Sequence, residues 1–368
     1  YLKEVGLEYL TLDRQSRTLS GGEVERVNLT TALGSSLVNT LYILDEPSIG
    51  LHPRDSHRLI KILHSLKRNK NTIVVVEHDP EIIEQADNIL DLGPGPGEQG
   101  GHLIFFGKYQ ELLKEKRSLT GQYLAHKKII PYPETRRQPG KTGWLTILSA
   151  QENNLKNIDI HIPLGLMVCI TGVSGSGKST LVEQILYFGY KKLKGEGVGI
   201  AGACRAIQGW EQIKNIILVN QAPIGRSTRS NPVTYVKAYD HIRQLFAQTL
   251  AAQERGYTAS TFSFNAGNGR CPQCRGEGYE KVEMQFLSDI YIICPECQGT
   301  RYKKEVLEVY YRDKNIWDIL NLTINEAMDF FAGSPRITQP LAVLKEVGLG
   351  YLKLGQPINT LSGGESQR

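Results

Sequence analysis

An α/β fold of two tandem modules, the second interrupted by a cysteine-rich insertion, follows from three observations. First, Leu2 to Glu23 (LKEVGLEYLTLDRQSRTLSGGE) aligns without a gap with Leu344 to Glu365 (LKEVGLGYLKLGQPINTLSGGE) at an offset of 342, with 15 of 22 positions identical. A unit of that length written twice is the mark of repeated architecture. Second, short apolar runs alternate with helical periodicity between the copies, the pattern of a sheet with crossover helices. Third, two CxxC pairs fall in the long interval before the second copy. The motif order predicts a fragment running from the middle of one module to the middle of the next.

The bulk composition is that of an ordinary soluble chain: 368 residues with 40% hydrophobic content can build more than one core. No run of eighteen apolar residues occurs, and the opening YLKEVGLEYL lacks the features of an export signal, so a cytoplasmic location without a membrane is expected. A formal charge of +5 permits nucleic acid as a partner and equally suits many enzymes. Of six cysteines, Cys169 and Cys204 stand alone and four form CxxC pairs, which reads as metal ligation rather than a disulfide framework.

Taken in order, Val24 to Leu37 is helix-like, and Leu41 to Leu44 is a short buried strand that ends at Asp45, Glu46 and Pro47. Arg54 to Arg68 spaces its apolar residues as an amphipathic helix, and Thr72 to Val76 is a second buried strand ending at Glu77 and His78. Strand, helix, strand implies a parallel pair, which brings Glu46 and His78 to one carboxyl edge, where open α/β sheets bind ligands. Gly93 to Gly101 is a turn, and Ile129 to Gly143, with three prolines, has linker composition. Strands at Leu145 to Leu148 and Ile158 to Ile162 precede an apolar strand, Leu166 to Thr171, that runs into a glycine-rich loop. Another strand-like run, Ile216 to Asn220, ends at Gln221.

That loop, Gly172-Val173-Ser174-Gly175-Ser176-Gly177-Lys178-Ser179, fits the P-loop pattern in its expected strand-to-helix context. Its glycines let backbone N–H groups wrap phosphates, Lys178 neutralises the outer phosphates, Ser179 is a magnesium ligand, and Thr180 continues the nucleotide-binding segment. Gln221 either reaches the magnesium or attacking water, or is a solvated glutamine. Asp45 would hold magnesium through water, Glu46 would act as general base, and His78 would orient the water; the alternative is a pair of carboxylates capping the next segment. Ser20-Gly21-Gly22 and Ser362-Gly363-Gly364 each stand before a helix, as an anion site or as a simple cap. Cys271, Cys274, Cys294 and Cys297 have the spacing of a four-thiolate zinc site, structural because four sulfurs leave no position for water. Around them alternate Phe262, Phe264, Arg270, Arg275, Tyr279, Lys281, Tyr291, Arg301, Tyr302, Lys303 and Lys304. This is either a surface for phosphates and exposed bases or a solvated rim over a small zinc core.

LSGGE, the ILDEP run, the glutamate-histidine pair and the P-loop together resemble the ATP-binding cassette ATPases, and two cassettes with a cysteine insertion resemble the UvrA family. The resemblance covers essentially the whole chain and is carried by ILDEPSIGLHPRD (Ile43 to Asp55), ITGVSGSGKSTL (Ile170 to Leu181), QAPIGRSTRSNPVTY (Gln221 to Tyr235) and KVEMQFLSDIY (Lys281 to Tyr291). It departs where the first signature continues Glu23-Val24-Glu25-Arg26, against the more family-like Glu365-Ser366-Gln367-Arg368. The implied fold is α/β: tandem, partial ABC-type P-loop ATPase cassettes with an inserted zinc-binding α+β subdomain. The implied division is 1–128 for the first cassette, 129–143 for the linker, 144–225 for the start of the second, 226–340 for the insertion with its zinc module at 271–297, and 341–368 for the second signature.

The family further implies ATP, Mg2+ and structural Zn2+, ATP hydrolysis, recognition of damaged double-stranded DNA in nucleotide excision repair, handover to UvrB, and a homodimer. Arg226 and Arg229 become phosphate-contact candidates beside Arg270, Arg275, Lys281, Arg301, Lys303 and Lys304. Nucleotide would lie between the Lys178 loop and Ser20, and between Glu46 and Ser362. Neither site is complete within the sequence, so weak ATP binding and slow turnover are expected. Other readings are a paralogue conferring resistance to DNA-binding drugs, a transporter ATPase subunit, which the zinc insertion and tandem layout oppose, and a zinc-bearing scaffold without DNA contact.

Overall fold

The computed structural model describes residues 2–3, 5–19, 21–34, 37–140, 143–197, 199–219, 229–282 and 290–368. They fall into two compact units, residues 1–94 with 102–219, and residues 95–101 with 220–368.

In the first unit, helix α1 (Gly21–Gly34) starts three residues earlier than the sequence pattern predicts. Two glycines enter it because the chain is crowded there: a Cβ on Gly22 would lie 3.1 Å from the Gly50 carbonyl oxygen. Strand β1 (Leu41–Asp45), helix α2 (Pro53–Arg68) and strand β2 (Thr72–Val76) form the expected parallel unit, in register from Leu41 opposite Thr72 to Asp45 opposite Val76. Helix α2 is well specified locally. Pro53 occupies its first turn, His52 Nδ1 accepts from the Arg54 N–H at 3.2 Å, and Lys67 and Arg68 sit at the negative end of its dipole. Its buried Leu59, Ile62 and Leu66 pack with Val5, Leu7, Leu29 and Ile82, each large side chain contributing about 1.5–3 kcal/mol.

The two strands are not buried on both faces, as their apolar runs suggested. Tyr42, Leu44 and Ile73 pack into this core, whereas Leu41, Ile43, Val74 and Val76 are exposed. Alternation sends successive side chains to opposite faces, and among the described residues only one face is covered.

Strands β3 (Ile89–Gly93) and β4 (His102–Gly107) form an antiparallel pair. Beyond the linker, β5 (Trp144–Ala150) is the centre of an antiparallel sheet between β6 (Ile158–Pro163) and β7 (Ala206–Gln208). Leu145 and Ile147 of β5 meet Leu181 and Ile185 from the helix after the glycine-rich loop. That helix is wound with i→i+5 bonds over Thr180–Tyr187 and continues as an α-helix over Phe188–Leu193. The run Leu166 to Thr171, predicted as a strand, forms none, and neither do residues 216–219, the described part of the predicted run Ile216 to Asn220. Extended backbone becomes a strand only through a ladder partner, and no described residue pairs with either run; Met167, Ile217 and Val219 are exposed.

The second unit packs the helices Tyr239–Ala247, Ile316–Asn321, Ile324–Phe330 and Pro335–Glu346 around one apolar core. Their starts are capped by the sequence: Asn315 Oδ1 accepts from the Trp317 and Asp318 N–H groups, and Thr323 and Glu326 form a reciprocal box. Strands β8 (Tyr279–Val282) and β9 (Ile290–Ile293) pair antiparallel, in the stretch of sequence between the two cysteine pairs. A strap then crosses the unit: the Leu354 N–H donates to Leu322 O, the Gly355 N–H to Leu320 O and the Ile358 N–H to Ser230 O, at 2.8–2.9 Å. It ends in the second LSGGE. Among the described residues no helix is long and apolar enough to cross a membrane.

Candidate nucleotide site and metal centre

Parallel pairing of β1 and β2 delivers their carboxyl ends together. His78 Nε2 lies 3.5 Å from Glu46 Oε1, and Glu46 turns away from its strand with φ of +46°. Asp45, at the strand end, is exposed. The arrangement is braced by Glu77, to which sequence reasoning gave no role. Its Oε1 accepts from the Ser48 N–H, and its Oε2 accepts from the Ser48 hydroxyl and the His78 and Asp79 N–H groups, at 2.9–3.2 Å. One carboxylate thus fixes the turn after Glu46 to the turn carrying His78. Its place beside His78 at a strand end was the available signal.

Gly172 to Ser179 forms the loop entering the Thr180–Tyr187 helix. Lys178 Nζ donates to the carbonyls of Gly172 and Val173 at 2.7 and 2.9 Å, so the ammonium lies across its own loop. Asn154 donates to Gly175 O at 2.8 Å, and Asn153 donates to Thr180 Oγ1 and Gln184 Oε1 at 3.3 and 2.9 Å. This pair of amides clamps the loop, and no motif announced it. Gly175 takes φ of +76°, and a Cβ there would fall 2.7 Å from ring atoms of Tyr9. Tyr9 belongs to the first signature segment, because its hydroxyl donates to Glu23 Oε1 at 2.6 Å. Ser20 and Gln221 lie outside the described residues, as does Arg226.

The repeat holds at the level of individual bonds. Tyr351 donates to Glu365 Oε1 at 2.5 Å, as Tyr9 does to Glu23, and Arg368 Nε donates to Gly364 O at 3.2 Å, as Arg26 Nε does to Gly22 O at 3.1 Å. Ser362 Oγ accepts from the Glu365 N–H while the Glu365 carboxylate accepts from the Ser362 N–H, so this serine caps the short helix Gly363–Gln367. Gly364 has nothing described within 4 Å of where a Cβ would stand, unlike the crowded Gly22.

The Tyr9 hydroxyl meets two buried groups, Glu23 and Arg26, and burial followed by the Glu23 carboxylate pushes its phenol up to about 12. The folded chain therefore holds this proton more tightly than the unfolded chain. The bond's contribution is complete below the ordinary tyrosine value of 10.0 and is lost as pH rises through about 12. In a difference titration at 295 nm, Tyr9→Phe should remove one late-ionising phenol; an unchanged late phase would contradict the Tyr9–Glu23 bond.

The four cysteine sulfurs lie within 4.8 Å of one another, with Cys271 and Cys294 at 3.9 Å and Cys274 and Cys297 at 3.6 Å. Tetrahedral zinc with bonds of about 2.3 Å separates its sulfurs by about 3.8 Å, so the donor set fits that ion. The sulfurs also accept backbone N–H bonds, Cys274 from Gly278 at 3.2 Å and Cys297 from Arg301, the second-layer donors a thiolate site requires.

Around this centre the expected basic and aromatic surface is only partly present. Arg275, Lys281, Lys303 and Lys304 are exposed, with Tyr279 and Tyr291. Arg270 is half-buried and donates to Asn265 O, and Arg229 pairs with Glu277 at 3.2 Å. Phe262, Phe264 and Tyr302 belong instead to the apolar core. Arg301 is likewise corrected: it is 4% exposed and cannot be a surface contact. The Arg270–Tyr302 bridge turns this run of chain inward.

No family model matches the chain. Over 372 residues it is 54% identical to UvrABC system protein A of Aquifex aeolicus, covering all of this chain and 40% of that protein. It is 52% identical over 369 residues to UvrABC system protein A of Methanothermobacter thermautotrophicus, covering all of this chain and 38% of that one. The crystal structure of UvrA2 from Deinococcus radiodurans superposes with a TM-score of 0.92 at 48% identity, covering all of this chain and 44% of that one. The chain therefore spans about two fifths of the curated relatives it matches, and along its whole length it is UvrA-like in sequence and in structure.

Proposed function

We propose that the chain works within an ATP-driven sensor of damaged duplex DNA in nucleotide excision repair, one that passes the lesion to UvrB. The observation that carries this reading is the approach of Tyr9, bonded to Glu23 in the first signature, to Gly175 in the P-loop. A signature set against a P-loop is what a shared ATP pocket requires. Within that pocket the loop N–H groups and Lys178 would grip the phosphates, with Thr180 beside them, and Ser20, Gly21 and Gly22 would close over the outer phosphate. Ser179, Gln221 and Asp45 are of the chemistry that holds Mg2+, which offsets phosphate charge. In the equivalent site Glu46, 3.5 Å from His78, would accept the proton of an attacking water oriented by that histidine, and Ser362, Gly363 and Gly364 would provide the facing signature. The proposed domain division is that of the cassettes, 1–128 and 144–225, with the insertion at 226–340.

Damaged DNA would be gripped through phosphates by Arg275, Lys281, Lys303 and Lys304, with Arg226, Arg229 and Arg270 in support. Replacing Lys303 and Lys304 with glutamine should weaken binding to a lesion-bearing duplex and flatten its salt dependence by about two units of slope. Fluorescence anisotropy across a salt series measures both quantities. Unchanged affinity and slope would remove those two lysines from the interface.

A further inference from the structure

Arg301 is the only charged side chain among the buried polar residues described in the second unit. Its backbone is stitched to both cysteine knuckles: its carbonyl accepts from the Cys271 N–H at 2.9 Å, and its own N–H donates to the Cys297 sulfur. Its stem passes Gly278, where a Cβ would lie 3.2 Å from Arg301 Cγ, and its guanidinium sits 5.3 Å from the centre of the Phe264 ring. Nη2 donates to Gly355 O at 3.1 Å, while Nε and Nη1 are buried with no hydrogen-bond partner among the described residues. No ion pair joins Arg301 to a carboxylate among those residues.

A guanidinium taken out of water needs a compensating negative charge. Burial pushes the Arg301 pKa down, and acting against it are the hydroxyls of Tyr302, Tyr239 and Tyr279 and the sulfur of Cys274. Burial pushes the Tyr239 and Tyr302 phenols up, so both stay neutral at physiological pH. Cys274 differs, because a divalent ion held by four thiolates leaves the cluster with net negative charge. A second observation lies in the repeat. The only run of five successive differences between the copies is Asp13 to Arg17 against Gly355 to Asn359, which includes the residue Arg301 grips.

We infer that Arg301 is the counter-cation of the four-thiolate metal centre and, through Gly355, ties that centre to the strap ending in the second signature. This rests on the reading of the four cysteines as zinc ligands. It makes Arg301 a positioning residue: its charge steadies the thiolates, and its Nη2 N–H fixes the strap seven residues before Ser362. Occupancy of the metal centre and order of the signature are then coupled.

Two variants of the whole chain separate the roles, with zinc release to a chromogenic chelator and hydrogen exchange over residues 352–361 as readouts. R301M keeps the stem and removes the charge; it should release zinc at least tenfold faster, in line with other outer-layer partners of metal ligands, and exchange faster in the strap. R301K keeps the charge and loses the Nη2 bond to Gly355 O; its zinc release should stay within about threefold of native, while strap exchange rises. Native-like zinc retention by R301M, or equal release from both variants, overturns the counter-cation role. Unchanged strap exchange in R301K overturns the tether, and decides it even if R301M fails to fold. Absence of zinc from the native protein is a different result: it removes the metal reading, and this inference with it.

Discussion

Replacing Gly175 with alanine is expected to weaken ATP binding by roughly 10- to 100-fold, the equivalent of about 1.4–2.8 kcal/mol. Two strains act together. At φ of +76° a side chain costs about 1–2 kcal/mol, and the new methyl would stand 2.7 Å from Tyr9 Cε2 and Cζ. The loop cannot simply slide aside, because Asn154 holds Gly175 O at 2.8 Å. Displacement would instead misaim the N–H groups that surround the phosphates. Calorimetric titration with a non-hydrolysable ATP analogue measures the loss. The double variant Tyr9→Ala with Gly175→Ala should recover the steric share and retain the backbone share. If removing the Tyr9 ring gives no relief, the signature does not approach the loop as described.

Removal of the zinc that the four-cysteine donor set fits is expected to unfold the cysteine knuckles and the β8–β9 pair while leaving the helical core in place. The four cysteines form a cluster of their own, separate from the apolar core of the helices. Tyr279, Val282 and all four residues of β9 are substantially exposed, so the pair has little apolar burial to hold it. A short two-stranded unit of that kind is marginal in water. Structural zinc contributes on the order of 10–16 kcal/mol in small domains, far more than the remaining contacts supply there. Stripping with a strong chelator, or Cys294→Ser, should therefore expose residues 271–300 to proteolysis with little loss of helical circular dichroism. Equal protection with and without zinc would contradict the assignment. Release should also ease as pH falls, because protons compete for the thiolates.

What could be read from the residues was what depends on short range. The unit β1–α2–β2 was legible because apolar spacing, Pro53 and the strand-ending carboxylates all act locally, and the parallel register that brings Glu46 to His78 follows from that connection. The convergence of the four cysteines was legible because two CxxC turns leave few other arrangements. Coverage was not legible. Apolarity in Leu41 to Leu44 and Leu166 to Thr171 reports what those residues favour, not whether another element lies over them. Likewise, the alternating basic and aromatic residues near the cysteines fitted either a binding surface or a rim over packed aromatics, and only the fold shows that Phe262, Phe264, Tyr302 and Arg301 turn inward. Glu77 and Asn154 went unassigned because each works through backbone groups brought near only by the fold.

The twinned triangle of tyrosine, glutamate and arginine closes within a few turns of its own chain, at Tyr9, Glu23 and Arg26 and again at Tyr351, Glu365 and Arg368. Each copy therefore holds its shape through bonds made inside its own segment. In the first copy Gly22 is pressed against the Gly50 carbonyl, which leaves no room for a side chain there. A change that breaks the tyrosine–glutamate bond in one copy should therefore loosen that copy and leave the other intact.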